Sequence, residues 1–117
     1  MLTFRLHMRF SEQSSDEAAA ALRSLAGPVR AETGCSTTRV LRDAANRCKL
    51  TWVEEWSSVE HFEQHLRGST FRQIVAVIEM AVEQPEVEID DVTSRRGFDL
   101  IEEILDISVE RAGFEAG

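Results

Sequence analysis

The chain has 117 residues, of which 43% are hydrophobic and 29% are charged, a composition that suits one globular domain with its own core. Thirteen basic residues face 21 acidic ones, and the formal net charge of −8 disfavours binding to nucleic acid or to anionic membranes, which need positive surfaces. The sequence has no run of 18 apolar residues and no signal-peptide pattern, so we expect a cytoplasmic protein without a membrane span.

The N-terminal part of the chain predicts a strand followed by a helix. Residues 2–10 alternate between apolar and polar side chains, which is typical of a strand with one face on a core. Ser14 followed by Glu17 is a capping-box pattern, so a helix is expected to begin there. The pair Gly27-Pro28 is expected to kink or interrupt that helix.

The next segment predicts a hairpin of two strands. Gly34 suits a helix stop or a turn, and residues 35–42 and 47–56 follow as strands around a short polar turn. The second of these strands places four side chains on one face: Leu50, Trp52, Glu54 and Trp56. Cys35 and Cys48 are too few for a disulfide framework, and the pattern leaves open whether they pair across the hairpin.

The C-terminal half predicts three helices and one more strand. A serine-capped helix ends near Leu66 and carries His65 beside its apolar stripe. A second helix is predicted over residues 70–83, where apolar side chains keep helical spacing until a proline follows. Residues 86–93 alternate as a fourth strand, and residues 97–108 predict a last amphipathic helix.

The predicted order is β-α-β-β-α-α-β-α. If the two middle helices count as one, this is the ferredoxin-like split βαβ order with an extra C-terminal helix. It predicts an α+β domain with a four-stranded antiparallel sheet and helices on one face. A single domain would leave the other sheet face uncovered, so we expect a homodimer.

Five short segments carry features that recur together in one protein family. The features are a glycine turn into the second strand, a Glu-x-Trp that closes the third strand, an inward His and a Ser-x-Phe break. The segments that carry the likeness, which also include part of the second strand, are Glu32-Thr33-Gly34-Cys35, Thr38-Arg39-Val40, Val53-Glu54-Glu55-Trp56, His65-Leu66 and Ser69-Thr70-Phe71-Arg72. Together they resemble the antibiotic biosynthesis monooxygenase domain family. Residues 1–93 are expected to form the family-like ferredoxin-fold domain. Residues 94–117 resemble the extra helix of its quinol monooxygenase-like members, and we expect a helical extension of the same domain there.

The resemblance implies a dimeric α/β barrel and an oxidoreductase activity. Family members include cofactor-independent oxygenases of quinols and aromatic polyketides, which implies a small aromatic substrate, O2 and no cofactor. The wider superfamily also holds haem-degrading enzymes and isomerases of small oxo-acids. The haem-degrading branch typically has Trp, His and Asn at the positions held here by His65, Val75 and His7, so these departures argue against haem breakdown.

Two residues are candidates for proton transfer. Glu54 lies among aromatic side chains on its strand face, where a carboxylate suits a base or a hydrogen-bond orienter, and equally a structural partner of an arginine or a backbone N–H. His65 is expected near the sheet, and imidazole titrates near neutral pH. The competing interpretation is a helix-edge histidine with one hydrogen bond. We take His65 and Glu54 as the candidate catalytic residues.

Four residues are candidates for substrate binding. Trp52 and Trp56 offer flat apolar surfaces for stacking on an aromatic substrate, although both suit the core without any substrate. Phe71 is expected to shape the same pocket and exclude water from it. His7 lies on the polar face of the first strand, and this face is expected to line either the pocket or the dimer interface.

No metal site is predicted. His61 and His65 are four residues apart, but they do not form an HExxH motif and His61 is expected to face solvent. The family resemblance makes a cofactor-independent monooxygenase that acts on a quinol or another electron-rich phenolic compound the leading hypothesis. A non-catalytic dimeric binding module for small molecules and an isomerase of small oxo compounds are the alternatives. Only the oxygenase should consume O2 in step with substrate loss.

Overall fold

The computed structural model describes residues 1–108 and contains four strands and four helices in the predicted order. The strands are β1 (Leu2–Arg9), β2 (Cys35–Arg42), β3 (Lys49–Trp56) and β4 (Glu86–Asp91). The helices are α1 (Ser15–Arg30), α2 (Val59–Arg67), α3 (Ser69–Ile78) and α4 (Phe98–Leu105). The predicted α+β class and ferredoxin-like order are confirmed. The part of the predicted C-terminal extension at residues 109–117 lies outside the described residues.

The four strands form one antiparallel sheet in the order β2-β3-β1-β4. Helices α1, α2 and α3 pack on one face of this sheet, where apolar side chains of β1 and β3 are almost completely buried. The alternation predicted for the first strand is confirmed, because the side chains of Leu2, Phe4, Leu6, Met8 and Phe10 are all at most 4% exposed. The opposite face, called here the open face, carries the half-exposed Arg5 and His7.

Three helix boundaries differ from the prediction, and one of them is the end of α4, which lies at Leu105 instead of near residue 108. Helix α1 continues through Gly27 and Pro28 to Arg30 instead of being interrupted. Pro28 lies in the last turn, so the missing N–H affects only the helix end, and the neighbouring Val29 is fully buried in the core. Helix α3 ends at Ile78 rather than near residue 83, because the chain there turns back toward the sheet and the N–H of Val82 donates to the carbonyl of Arg9.

The two cysteines are free thiols that lie at opposite ends of the β2–β3 hairpin. Cys35 pairs in register with Trp56, whereas Cys48 precedes β3 beside the hairpin turn, where Leu50 pairs with Arg42. The strand register therefore separates the two residues along the full length of the hairpin. A disulfide between them would require a different register.

Gly34 holds the turn that connects α1 to β2. Its φ is +88°, and a Cβ added there would lie 2.3 Å from Cγ of His61, so both the backbone and the close packing require glycine. We expect Gly34→Ala to lower the free energy of unfolding by about 2 kcal/mol.

The matched control is Gly27→Ala, because a Cβ at Gly27 meets nothing within 4 Å and the residue is helical. This variant should keep or slightly raise stability, since alanine is the better helix former. Urea denaturation followed by circular dichroism measures both. Equal stability of the two variants would show that the Gly34 turn tolerates a side chain.

Candidate active site

Glu54 is a fully buried carboxylate that accepts hydrogen bonds from two tryptophans. Nε1 of Trp52 donates to Oε2 at 2.7 Å, and Nε1 of Trp56 donates to Oε1 at 2.8 Å. The three residues alternate along β3, so the strand period of two places all three side chains on the helix-covered face. Each carboxylate oxygen thus has an indole donor, which suits a carboxylate in its ionised form.

His65 lies between Glu54 and a second carboxylate. Its Nε2 is 2.9 Å from Oε2 of Glu54, and its Nδ1 is 3.0 and 3.1 Å from the two carboxylate oxygens of Glu32. Helix α2 supports this position, because Oγ of Ser58 caps its N-terminus and Phe62, three residues before His65, is buried on the same side. We call Glu32, His65 and Glu54 the buried array.

Glu32 is the member of the buried array that the sequence analysis missed as a site residue. It precedes the Gly34 turn, where its N–H donates to the carbonyl of Val29 and its carbonyl accepts from the N–H of Cys35. Its side chain is 29% exposed, whereas that of His65 is 0% exposed. An acidic residue beside a glycine turn resembles an ordinary solvated side chain, and its contact with His65 crosses 33 positions of sequence. Local patterns therefore did not reveal it.

The geometry of the buried array favours a doubly protonated His65. A neutral imidazole carries one N–H, so one ring nitrogen would present a lone pair to a carboxylate oxygen. Burial alone would lower the pKa of His65, but hydrogen bonds and charge attraction from Glu54 and Glu32 outweigh it and raise that pKa above its usual value. The imidazolium thereby compensates the negative charge that Glu54 brings into the core.

Aromatic rings surround His65. The ring centroid of Trp56 lies 4.8 Å from that of His65, and the ring of Phe71 lies 5.5 Å away in an edge-on orientation. Trp52 contacts the array through its indole N–H. The structure thus brings together five of the six residues selected from the sequence: Glu54, His65, Trp52, Trp56 and Phe71. Phe71 is the partly buried one of the five.

His7 lies on the open face of the sheet, away from these five residues. Its Nδ1 is 3.0 Å from Oγ1 of Thr51, and its Nε2 pairs with the carboxylate of Glu88. It lines a cleft of about 600 Å³ on that face, and a second cleft of about 220 Å³ lies near Arg5 and Glu55. The buried array lines neither cleft, because it lies on the helix-covered face of the sheet.

Within residues 1–108, no group of three or more His, Cys, Asp or Glu side chains is arranged to hold a metal ion. In the buried array, both nitrogens of His65 already face carboxylate oxygens. His61, which the sequence predicted to face solvent, is half-buried because it packs over Gly34 and its Nδ1 lies 2.8 Å from Oγ of Ser58. Among the described residues, no helix combines the length and the apolar composition that a membrane span needs.

One family model matches this chain, and several solved structures share its fold. Residues 1–77 match the model of the family described as antibiotic biosynthesis monooxygenase. Similar solved structures include an antibiotic biosynthesis monooxygenase with 18% identity over 80% of this chain and 100% of that chain, at a TM-score of 0.72. Rv0793 from Mycobacterium tuberculosis has 16% identity over 82% of this chain and 98% of that chain, at a TM-score of 0.73.

A third solved structure, a conserved protein from Methanosarcina mazei Go1, has 22% identity over 76% of this chain and 89% of that chain, at a TM-score of 0.71. At these identities the structural likeness establishes the fold. Comparison with curated proteins gave no match.

Proposed function

The chain belongs to the antibiotic biosynthesis monooxygenase family, and from this premise we propose that it oxidises a quinol or another electron-rich phenol with O2, without a metal or flavin. The observation that carries the proposal is the buried array, which places a titratable imidazole between two carboxylates and against aromatic rings. Proton removal is the step that such a group performs, and a phenolate is far easier to oxidise than the phenol.

The proposed reaction begins with proton transfer from the substrate. The phenolic O–H bond breaks and an N–H bond forms on His65 in its neutral form. The resulting anion reacts at a ring carbon with O2 and forms a C–O bond. The ring carbon that is CH2 in the keto tautomer of the substrate then becomes C=O, while the second oxygen atom leaves as water with the remaining C–H hydrogen and one proton from solvent, which replaces the proton taken by His65. The substrate supplies all four electrons, so no further reductant takes part.

The residues around His65 have distinct roles in the proposed reaction. The two carboxylates raise the pKa of His65, which brings it closer to the pKa of a phenol and so favours proton transfer. The raised pKa also means that a smaller fraction of His65 is neutral at pH 7. Trp52 and Trp56 hold Glu54 in place. Because the side chains of Glu54, Trp52 and Trp56 are buried, the substrate would reach His65 past Glu32 and the neighbouring ring of Phe71, which are both partly exposed. His7, on the open face, is not assigned a role at the buried array.

Oxygen uptake tests the proposal. Metal-free and flavin-free protein is incubated with a panel of quinols and anthrones, and uptake is compared with the rate without protein. We expect uptake with an accepted substrate, reduced about 100-fold or more in His65→Gln. The matched control is His61→Gln, one helical turn earlier, which should retain uptake. Equal activity of both variants would refute His65 as the base.

A non-catalytic binding module is the second candidate. One observation favours it: both ring nitrogens of His65 have carboxylate partners, and the ring is buried. This candidate predicts saturable binding of a phenol without oxygen uptake. An isomerase of small oxo compounds would instead convert its substrate equally well with and without O2.

We further propose that the protein is a homodimer. Within residues 1–108, β4 and α4 expose several large apolar side chains: Val87, Ile89, Ile101, Ile104 and Leu105. Side chains on a surface of this kind are usually buried by a partner. β4 is also an edge strand, since no described strand pairs with its outer side. A second copy that covers β4 and α4 would bury both features.

Charged substitutions on α4 test the dimer. We expect sedimentation velocity to give twice the chain mass of 13.2 kDa for the unmodified protein. The double variant Ile101→Glu with Ile104→Glu should weaken association by about 100-fold or more, because it places carboxylates in an apolar interface. Val59→Glu, at an exposed apolar position at the start of α2, is the control and should remain dimeric. A monomer for all three proteins would refute the proposal.

A further inference from the structure

The two carboxylates that flank His65 differ in their access to water. Glu54 is fully buried, and its two oxygens already accept from the indoles of Trp52 and Trp56. Glu32 lies in the turn after α1, and its side chain is 29% exposed. Glu32 is therefore the member of the array through which a proton can reach water.

The two ring nitrogens of His65 consequently have different roles. The proton on Nε2 faces a buried carboxylate that is held by two other donors, so it has no path to solvent. The proton on Nδ1 lies 3.0 and 3.1 Å from the oxygens of Glu32, which meets solvent on its other side. Nδ1 is thus the nitrogen that gains and loses a proton.

We infer that Glu32 is a positioning residue that keeps His65 protonated at rest and passes the Nδ1 proton to water. The effect on the protonation of His65 does not depend on any activity. The effect on the rate rests on the proposed function. In each turnover the phenolic proton would pass to the Glu32 carboxylate and from there to Nδ1 of neutral His65, and the new N–H bond would later break to return that proton through Glu32 to water.

The other groups around the buried array do not compete with Glu32 for control of His65 protonation. The two carboxylates come from β3 and from the α1–β2 turn, and α3 contributes the apolar ring of Phe71. Burial raises the pKa of the Cys35 thiol to about 11, with Glu54 and Glu32 adding to the rise, so this thiol stays uncharged while His65 titrates. Arg30 acts electrostatically on Cys35, and its guanidinium donates to the carbonyl of Thr38.

The chain offers a direct measurement, because it has only three histidines. Ring signals of His7, His61 and His65 are followed by NMR from pH 5 to pH 10 in the unmodified protein and in Glu32→Gln, with His7→Gln and His61→Gln used for assignment. We expect the pKa of His65 to fall by about one unit in Glu32→Gln, toward the lower end of the effect of an adjacent opposite charge, because Glu32 is partly solvated.

Two further variants separate charge from structure. Glu63→Gln removes an exposed carboxylate from α2, the same helix as His65, and should leave the pKa of His65 unchanged. Glu32→Asp retains the charge and should keep that pKa raised. A pKa of His65 that does not change in Glu32→Gln overturns the inference, whether or not the protein turns over any substrate.

The rate profile gives a second result. Oxygen uptake by the unmodified protein should rise with pH through the pKa of His65, because only neutral His65 accepts a proton. In Glu32→Gln the same rise should shift to lower pH by the amount that NMR gives. A profile that does not move while the NMR pKa does would overturn the role of Glu32 in turnover. An NMR shift without uptake by any protein would support the inference and refute the proposed function.

Discussion

Glu54→Gln is expected to lower the free energy of unfolding by about 3 kcal/mol and to abolish most oxygen uptake. The substitution removes the buried negative charge that faces His65 and keeps the side-chain volume. A Gln side chain also places an NH2 group where a second acceptor is needed, so one indole N–H of Trp52 or Trp56 would lose its partner. The loss of stability therefore has two causes. One indole N–H is left without an acceptor, and the buried imidazolium of His65 no longer faces the carboxylate of Glu54.

Glu55→Gln is the matched control for this substitution. Glu55 follows Glu54 on β3 but points to the open face, where it pairs with the largely exposed guanidinium of Arg95. The side chain of Glu55 is 11% exposed, but that of Arg95 is 60% exposed, so water reaches the pair. We expect a smaller cost of about 1–2 kcal/mol and no loss of uptake. Urea denaturation by circular dichroism and the oxygen assay test both variants. Similar costs at the two positions would show that Glu54 is not an unusual carboxylate.

His65→Gln is expected to lower the free energy of unfolding by about 3 kcal/mol, because it leaves the buried Glu54 carboxylate without a cation. In a Glu54→Gln background the same change should cost about 1–3 kcal/mol less, since no buried charge remains to be compensated. His61→Gln on the same helix should cost within about 1 kcal/mol, because its hydrogen bonds are with half-exposed serines. Equal costs of His65→Gln in the two backgrounds would contradict an energetic coupling between His65 and Glu54.

The cost of His65→Gln should also depend on pH. The pKa of His65 is raised by its partners in the folded protein, so its contribution is complete below its unfolded pKa of about 6.5. That contribution is lost as pH rises through the raised folded pKa. The variant should therefore be more destabilised at pH 6 than at pH 9, and an equal cost at both values would indicate that His65 is not protonated in the folded protein.

Local periodicity predicted the strand faces and most of the helices. The alternation in β3 placed Glu54 between Trp52 and Trp56, and the stripe of α2 placed His65 toward the sheet. These predictions hold because strand and helix periods depend on neighbouring residues only. The continuation of α1 through Pro28 was missed, because the burial of Val29 that supports the last turn is a tertiary property.

By itself the sequence determined the fold class, the buried faces and the family resemblance, because these follow from local periodicity, from the order of the predicted elements and from short motifs. Only the tertiary structure decided that Glu32 contacts His65, that His7 lies on the opposite face of the sheet, and that the two cysteines are far apart. These facts depend on which turn packs on which helix and on strand register. Residues distant in sequence become neighbours there, and no local pattern records the contact.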